Sequence, residues 1–152
     1  MPTPALRTLL DQATQDRDEA VAALQAAEAR VVAAERQQRQ LADYRAHYRD
    51  RWTSQFGQRG GGGMEIVQCY QSFAERLEQA IGQQTHSVGH AQAQVQRLRL
   101  QLQQRELRLA SVRKLAERRL AALNQAESRR EQKASDEAAL RSRPATLPGV
   151  LG

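Results

Sequence analysis

Gly57-Gln-Arg-Gly-Gly-Gly-Gly63 is the stretch whose reading decides the fold. Four consecutive glycines, Gly60 to Gly63, carry the largest backbone-entropy cost a helix can meet, so the segment predicts a turn. Helical sequence stands on both sides of it. Upstream, Thr3-Pro4 reads as a helix start: Thr caps free N–H groups, and Pro at the first helical position loses no needed hydrogen bond. From there no Pro or Gly appears until Gly57. Leu6, Leu10, Ala13, Arg17, Ala20, Leu24, Ala27, Val31, Ala34, Gln38, Leu41, Arg45, Tyr48 and Trp52 follow one another in alternating steps of four and three. That is a heptad seam, apolar except at Arg17, Gln38 and Arg45, and narrow because Ala is frequent.

Downstream, a second seam keeps the same alternation. It runs through Tyr70, Ala74, Leu77, Ile81, Gln84, Val88, Ala91, Val95, Leu98, Leu102, Arg105, Leu109, Val112, Ala116, Arg119, Leu123 and Ala126. Pro144, Pro148 and Gly149 end the helical pattern. Two seams on either side of a turn predict an all-α fold: a long antiparallel two-helix coiled-coil hairpin. The expected division is helix 1 over 3–56, a glycine-rich turn over 57–64, helix 2 over 65–141 and a flexible tail over 142–152.

In an antiparallel hairpin, facing residues add up to a constant. A constant of 122 centres the turn at residue 61. It sets Trp52 against Tyr70, Leu41 against Ile81, Val31 against Ala91 and Leu10 against Val112. Gln38 then faces Gln84, where the two amides can bond each other. The same register sets Arg17 against Arg105, and both must snorkel, toward Glu19 or Glu106. Leu6 meets Ala116, so helix 1 is exhausted there and helix 2 overhangs, unpaired, over about 117–141. At ~1.5 Å per residue that is roughly 36 Å of single helix. It carries Arg118, Arg119, Arg129, Arg130, Lys133 and Arg141, with Leu120, Leu123 and Ala126 on one face. It either binds a partner or frays into solvent.

Composition agrees with a coiled coil. Of 152 residues, 4% are aromatic and mean hydropathy is −0.72, too low for a thick core. No run approaches the ~18 apolar residues of a membrane span. Met1 to Leu10 has no apolar stretch, so no secretory signal is expected. Cys69 is the single cysteine, which excludes an internal disulfide and makes the cytoplasm the expected compartment. Net charge is +6, and Arg97 to Arg143 holds 13 Arg and Lys against 6 Asp and Glu. Nucleic acid, anionic lipid or an acidic protein are the partners such a charge suggests.

The aromatics Tyr44, Tyr48, Trp52, Phe56, Tyr70 and Phe73 crowd around the turn. Bulky residues plugging the hairpin end account for Tyr48 and Trp52. A second pattern lies beside the seam: Gln37, Leu41, Tyr44, Tyr48 on helix 1 and Phe73, Leu77, Ala80, Gln84 on helix 2. These stripes pair around 121 and predict a shared flank, with Tyr44 and Phe73 at least half exposed. An exposed apolar patch of this kind marks a binding surface. Gly82 and Gly89, seven apart in helix 2, read as a bend, a close helix contact or tolerated residues.

Catalytic chemistry is not expected. His86 and His90 at i, i+4 could share a metal, but no Cys, Asp or Glu completes a site, so solvated side chains are the simpler reading. The glycine run lacks the GK[ST] of a phosphate loop. No enzyme, cofactor or metal site follows.

Leu41-Ala-Asp-Tyr44-Arg-Ala-His-Tyr48, then Tyr70-Gln-Ser-Phe73-Ala-Glu-Arg-Leu77-Glu-Gln-Ala80-Ile81-Gly-Gln-Gln84, then Arg129-Arg-Glu-Gln-Lys133-Ala-Ser-Asp136-Glu137 resemble the FliJ family over roughly Leu6 to Arg141. The resemblance implies a cytoplasmic, non-enzymatic antiparallel coiled coil of the flagellar type III export apparatus, at the inner-membrane base of the flagellum, supporting motility. It implies a likeness to the stalk of rotary ATPases, with the helical termini entering the ring of the flagellar export ATPase and regulating it. On that resemblance Arg118, Arg119, Leu123, Arg129, Arg130 and Lys133 are the ATPase-ring residues. Gln37, Leu41, Tyr44, Tyr48, Phe73, Leu77, Ala80 and Gln84 match the positions that bind the cytoplasmic domain of the export gate membrane protein. Export chaperones are further partners, and membrane association is peripheral, through partners. A virulence type III stalk and a self-associating scaffold share this periodicity. A nucleic-acid binder is disfavoured because the Arg residues are interleaved with Glu around the helix.

Overall fold

The computed structural model describes residues 3–59 and 63–142, the side chains of 56–59 apart. The glycines at 60–62, the tail from 143 and the Phe56 side chain lie outside the described residues. Two helices make up the fold, α1 (Pro4–Arg59) and α2 (Met64–Ser142), and no strand occurs among the described residues. Thr3 caps α1: its Oγ1 accepts from the Leu6 N–H at 3.3 Å, and its carbonyl accepts from Arg7 at 3.0 Å. Gly63 opens α2, its carbonyl accepting from Ile66 at 3.0 Å and Val67 at 3.4 Å. Glu65 in the first turn of α2 and Arg141 in its last turn complement the helix dipole. The helix α1 continues past Phe56, through Gly57, to Arg59. One glycine costs ~1 kcal/mol, which a helix of 56 residues absorbs.

Packing divides the chain into two compact units. Residues 15–106 form one; residues 1–14 with 107–152 form the other. Within the unit 15–106 the helices run antiparallel, since rising numbers on α1 meet falling numbers on α2. Gln38 bonds Thr85, Arg45 bonds Glu78, and Trp52 packs on Tyr70. These pairs add up to 122 or 123, the register the seams predict. Within the other unit, Leu10 and Ala13 pack with Leu109 and Val112, again around 122.

Burial follows the seam. Every seam residue of α1 from Leu6 to Trp52 is buried or half-buried, as is every one of α2 from Tyr70 to Ala116. Ala13, Ala20 and Ala27 are among the most buried side chains, so small knobs let the helices pack closely. Beyond Ala116 the seam positions Arg119, Leu123 and Ala126 are exposed.

The polar layers differ from expectation. Gln38 and Gln84 do not bond each other. Gln38 Nε2 donates to Thr85 Oγ1 at 3.3 Å, and Gln84 Nε2 donates to the Ala34 carbonyl at 2.9 Å. Each amide reaches past its opposite number, and the Ala34 carbonyl has a second lone pair free for it. Arg17 turns neither to Glu19 nor to Glu106; its Nε donates to Asp18 Oδ1 at 2.8 Å. The adjacent carboxylate is reached with the least side-chain ordering.

Gly82 and Gly89 make no close helix contact. Both are exposed, and a Cβ at either would meet nothing within 4 Å. Replacing either by Ala removes an entropy cost without a steric one. Gly82→Ala and Gly89→Ala are each expected to stabilise by ~1 kcal/mol, raising Tm by about 2–4 °C in a thermal melt followed by circular dichroism.

Candidate functional site: an aromatic face and an exposed basic helix

Tyr48 is the centre of the aromatic group in the unit 15–106. Its ring lies 4.3 Å from Phe73, 5.5 Å from Tyr70, 6.0 Å from Trp52 and 6.4 Å from Tyr44. Trp52 lies 5.0 Å from Tyr70, and Tyr44 meets Phe73 edge-on at 6.1 Å. The last contact joins the two flanking stripes on one face, as their spacing predicts. Such ring pairs contribute ~0.5–1.5 kcal/mol beyond area burial. The cluster therefore fixes the backbone on which its outer members stand.

The eight residues of the stripe are not equally available. Gln37 is exposed and Tyr44 is 50% exposed. Leu41, Tyr48, Phe73, Ala80 and Gln84 are half-buried, and Leu77 is buried. The expectation of a half-exposed Phe73 fails because the Tyr44 and Tyr48 rings cover it. Leu77 occupies a seam position, so it supports the face from beneath.

Two features beside the stripe were not singled out from the sequence. Arg45 bonds both carboxylate oxygens of Glu78, at 3.1 and 3.3 Å, on the opposite flank of the seam. Arg45 is half-buried and Glu78 exposed, so solvent still screens the pair and it sets orientation more than stability. Ile66, 46% exposed, stands seven residues before Phe73. The heptad step was the signal that could have found it.

The second candidate lies in the other unit. Residues 117–142 are helical and exposed throughout, and this includes Arg118, Arg119, Leu123, Arg129, Arg130 and Lys133. Six alanines in this segment favour the helix where no partner helix supports it. The charges alternate: from residue 117 onward there are seven Arg or Lys and five Asp or Glu. Recognition here would depend on pattern more than on net charge. Among the described residues no group of three or more His, Cys, Asp or Glu is placed to hold a metal. No helix among them is long and apolar enough to cross a membrane.

An aromatic face beside a heptad seam, together with an exposed charged extension of the second helix, is the arrangement the motif resemblance implies. The family described as Flagellar FliJ protein matches residues 2–143. The chain belongs to the FliJ family. FliJ-family membership makes it a component of the flagellar export apparatus. No curated protein matches this FliJ-family chain.

Proposed function

We propose that the chain is a non-enzymatic, stalk-like component of flagellar protein export that engages two partners through two separate surfaces. The observation that carries this reading is the exposed helix 117–142. It has unpaired seam residues, Leu123 at 46% exposure among them, and alternating charges. A helix of this kind fits into the ring of the export ATPase, where Arg118, Arg119, Arg129, Arg130 and Lys133 meet acidic side chains and Leu123 meets an apolar wall. Insertion would promote ring assembly or couple hydrolysis to export. Gln37, Tyr44 and the half-buried residues around them form the contact for the cytoplasmic domain of the export gate. Leu77 holds that face in place. Export chaperones are further candidates for the same chain, which would work in the cytoplasm at the inner-membrane base of the flagellum.

The test is co-purification with the export ATPase of the same genome, with hydrolysis measured in parallel. Binding and faster hydrolysis support the stalk reading; no binding removes it. The gate contact is tested separately by Tyr44→Ala. Tyr44 is half exposed and contributes to the cluster from its rim. We expect a pull-down of the gate's cytoplasmic domain to fall about tenfold or more, as when a binding hot spot is truncated. Helicity should stay within error of the unaltered chain. A loss of helicity would show that Tyr44 holds the fold instead.

A further inference from the structure

The aromatic face of the unit 15–106 has a one-sided charge that the stripe residues do not explain. Residues three, four and seven apart share a helix face. On α1, Arg51 follows Tyr44 by seven, and His47 lies between them, three after Tyr44 and four before Arg51. On α2, Ile66 precedes Phe73 by seven, and Arg76 lies three after Phe73 and four before Ala80. Arg51, Arg76, His47 and Ile66 are all exposed. No carboxylate falls on these positions. Glu78 is turned away to Arg45 on the opposite flank. Asp43 and Asp50 stand four before and three after His47, at the edge of this face, and neither they nor Glu65 and Glu75 fall three, four or seven residues from Tyr44, Arg51, Ile66, Phe73 or Arg76. The face thus presents an apolar strip, Tyr44 to Ile66, flanked by two guanidinium groups with no acid among them.

We propose that this face takes an acidic peptide segment, one that seats an apolar side chain beside Tyr44 and Ile66 and places carboxylates against Arg51 and Arg76. The proposal rests on the reading of this face as the gate contact, and deepens it by naming the chemistry of the bound segment and three residues outside the stripe. Charge complementarity is what selects the occupant. A basic or neutral segment would leave both guanidinium groups desolvated without a counter-charge, which costs affinity. Guanidinium is also the cation best suited to the planar carboxylate, through paired N–H donors.

The experiment measures binding of the full-length chain to the cytoplasmic region of the export gate. The variants are Tyr44→Ala, Ile66→Ser and the double charge reversal Arg51→Glu with Arg76→Glu, each checked for unchanged helicity. The charge reversal is expected to weaken binding by about tenfold or more, and Ile66→Ser by about threefold. Binding to the unaltered chain should also fall as salt is raised, because the two charges sit near solvent. Salt-insensitive binding that tolerates the charge reversal but not Tyr44→Ala overturns the acidic-segment proposal and leaves the gate contact standing. Unchanged binding in all three variants removes the gate contact and the proposal with it. Self-association by sedimentation that the charge reversal abolishes would assign the face to a second copy, and also overturns the proposal.

Discussion

A chain ending at Ala116 is expected to keep its paired helices and lose the export ATPase. Every residue from 117 to 142 is exposed, so the deletion removes no buried side chain from among the described residues. The thermal unfolding midpoint should therefore move by no more than a few degrees, while the helical signal falls in proportion to the residues removed. The change in long-range attraction is small. The deleted part holds seven Arg or Lys and five Asp or Glu, so the net charge falls only from +6 to +4. A loss of binding would then reflect the specific pattern of Arg118, Arg119, Leu123, Arg129, Arg130 and Lys133 and not a general loss of basic character. We expect ATPase binding to drop by well over tenfold, beyond ~1.4 kcal/mol, and stimulation of hydrolysis to return to the baseline of the ATPase alone. Full binding by the shortened chain would place the ATPase contact elsewhere and end the role assigned to the exposed helix.

Much of the fold was legible because one physical rule governs it. A seam repeating every seven residues keeps one face toward a partner helix, so the phase of the apolar residues gives both the buried face and the register. Leu10, Ala13, Leu109 and Val112 pack where that register sets them. The point where burial stops, Ala116, follows from that register and from where α1 begins. Contacts set by side-chain reach were less legible. Heptad position places Gln38 opposite Gln84 but does not say which acceptor each amide finds, and a backbone carbonyl and a threonine won. Arg17 likewise found Asp18, its neighbour in the chain.

The site divides along the same line. The pairing of Tyr48 with Phe73 was implied by spacing, and the structure brings the rings to 4.3 Å. The depth of each residue was harder to read, because Leu41, Tyr48, Leu77 and Gln84 belong to both the seam and the stripe. Seam membership prevails for Leu77, since the seam is where apolar area leaves water on folding. Phe73 was misjudged for another reason. A helix position beside a seam is open in a bare backbone, and it closes when large rings from the facing helix lie over it.

Leu109→Ala is expected to have the largest effect on stability of any single seam substitution. Leu109 is 2% exposed and is the largest fully buried side chain among the described residues. It packs with Ala13, Val112 and Leu10, and Leu6 is also buried in that unit. Truncating a buried Leu to Ala costs ~2–5 kcal/mol, depending on how far the surroundings collapse into the cavity. A two-helix seam is thin, and its neighbours here are small, so relaxation and water entry favour the lower part of that range, ~2–3 kcal/mol. The loss should be local, because the α1 segment of this unit, residues 3–14, is short and depends on few buried side chains. Amide hydrogen exchange in 3–14 is expected to quicken by about 30- to 140-fold, at tenfold per ~1.4 kcal/mol, with exchange around Ala27 and Val95 little changed. Leu107→Ala supplies the control. It is the same chemical change two residues away, at a side chain 66% exposed, and it should alter stability by less than about 0.5 kcal/mol. Equal effects of the two substitutions would mean that the face of α2 assigned to the seam is wrong. A large effect of Leu109→Ala alone ties the buried face, the register and the anchoring of the first turns of α1 to one side chain.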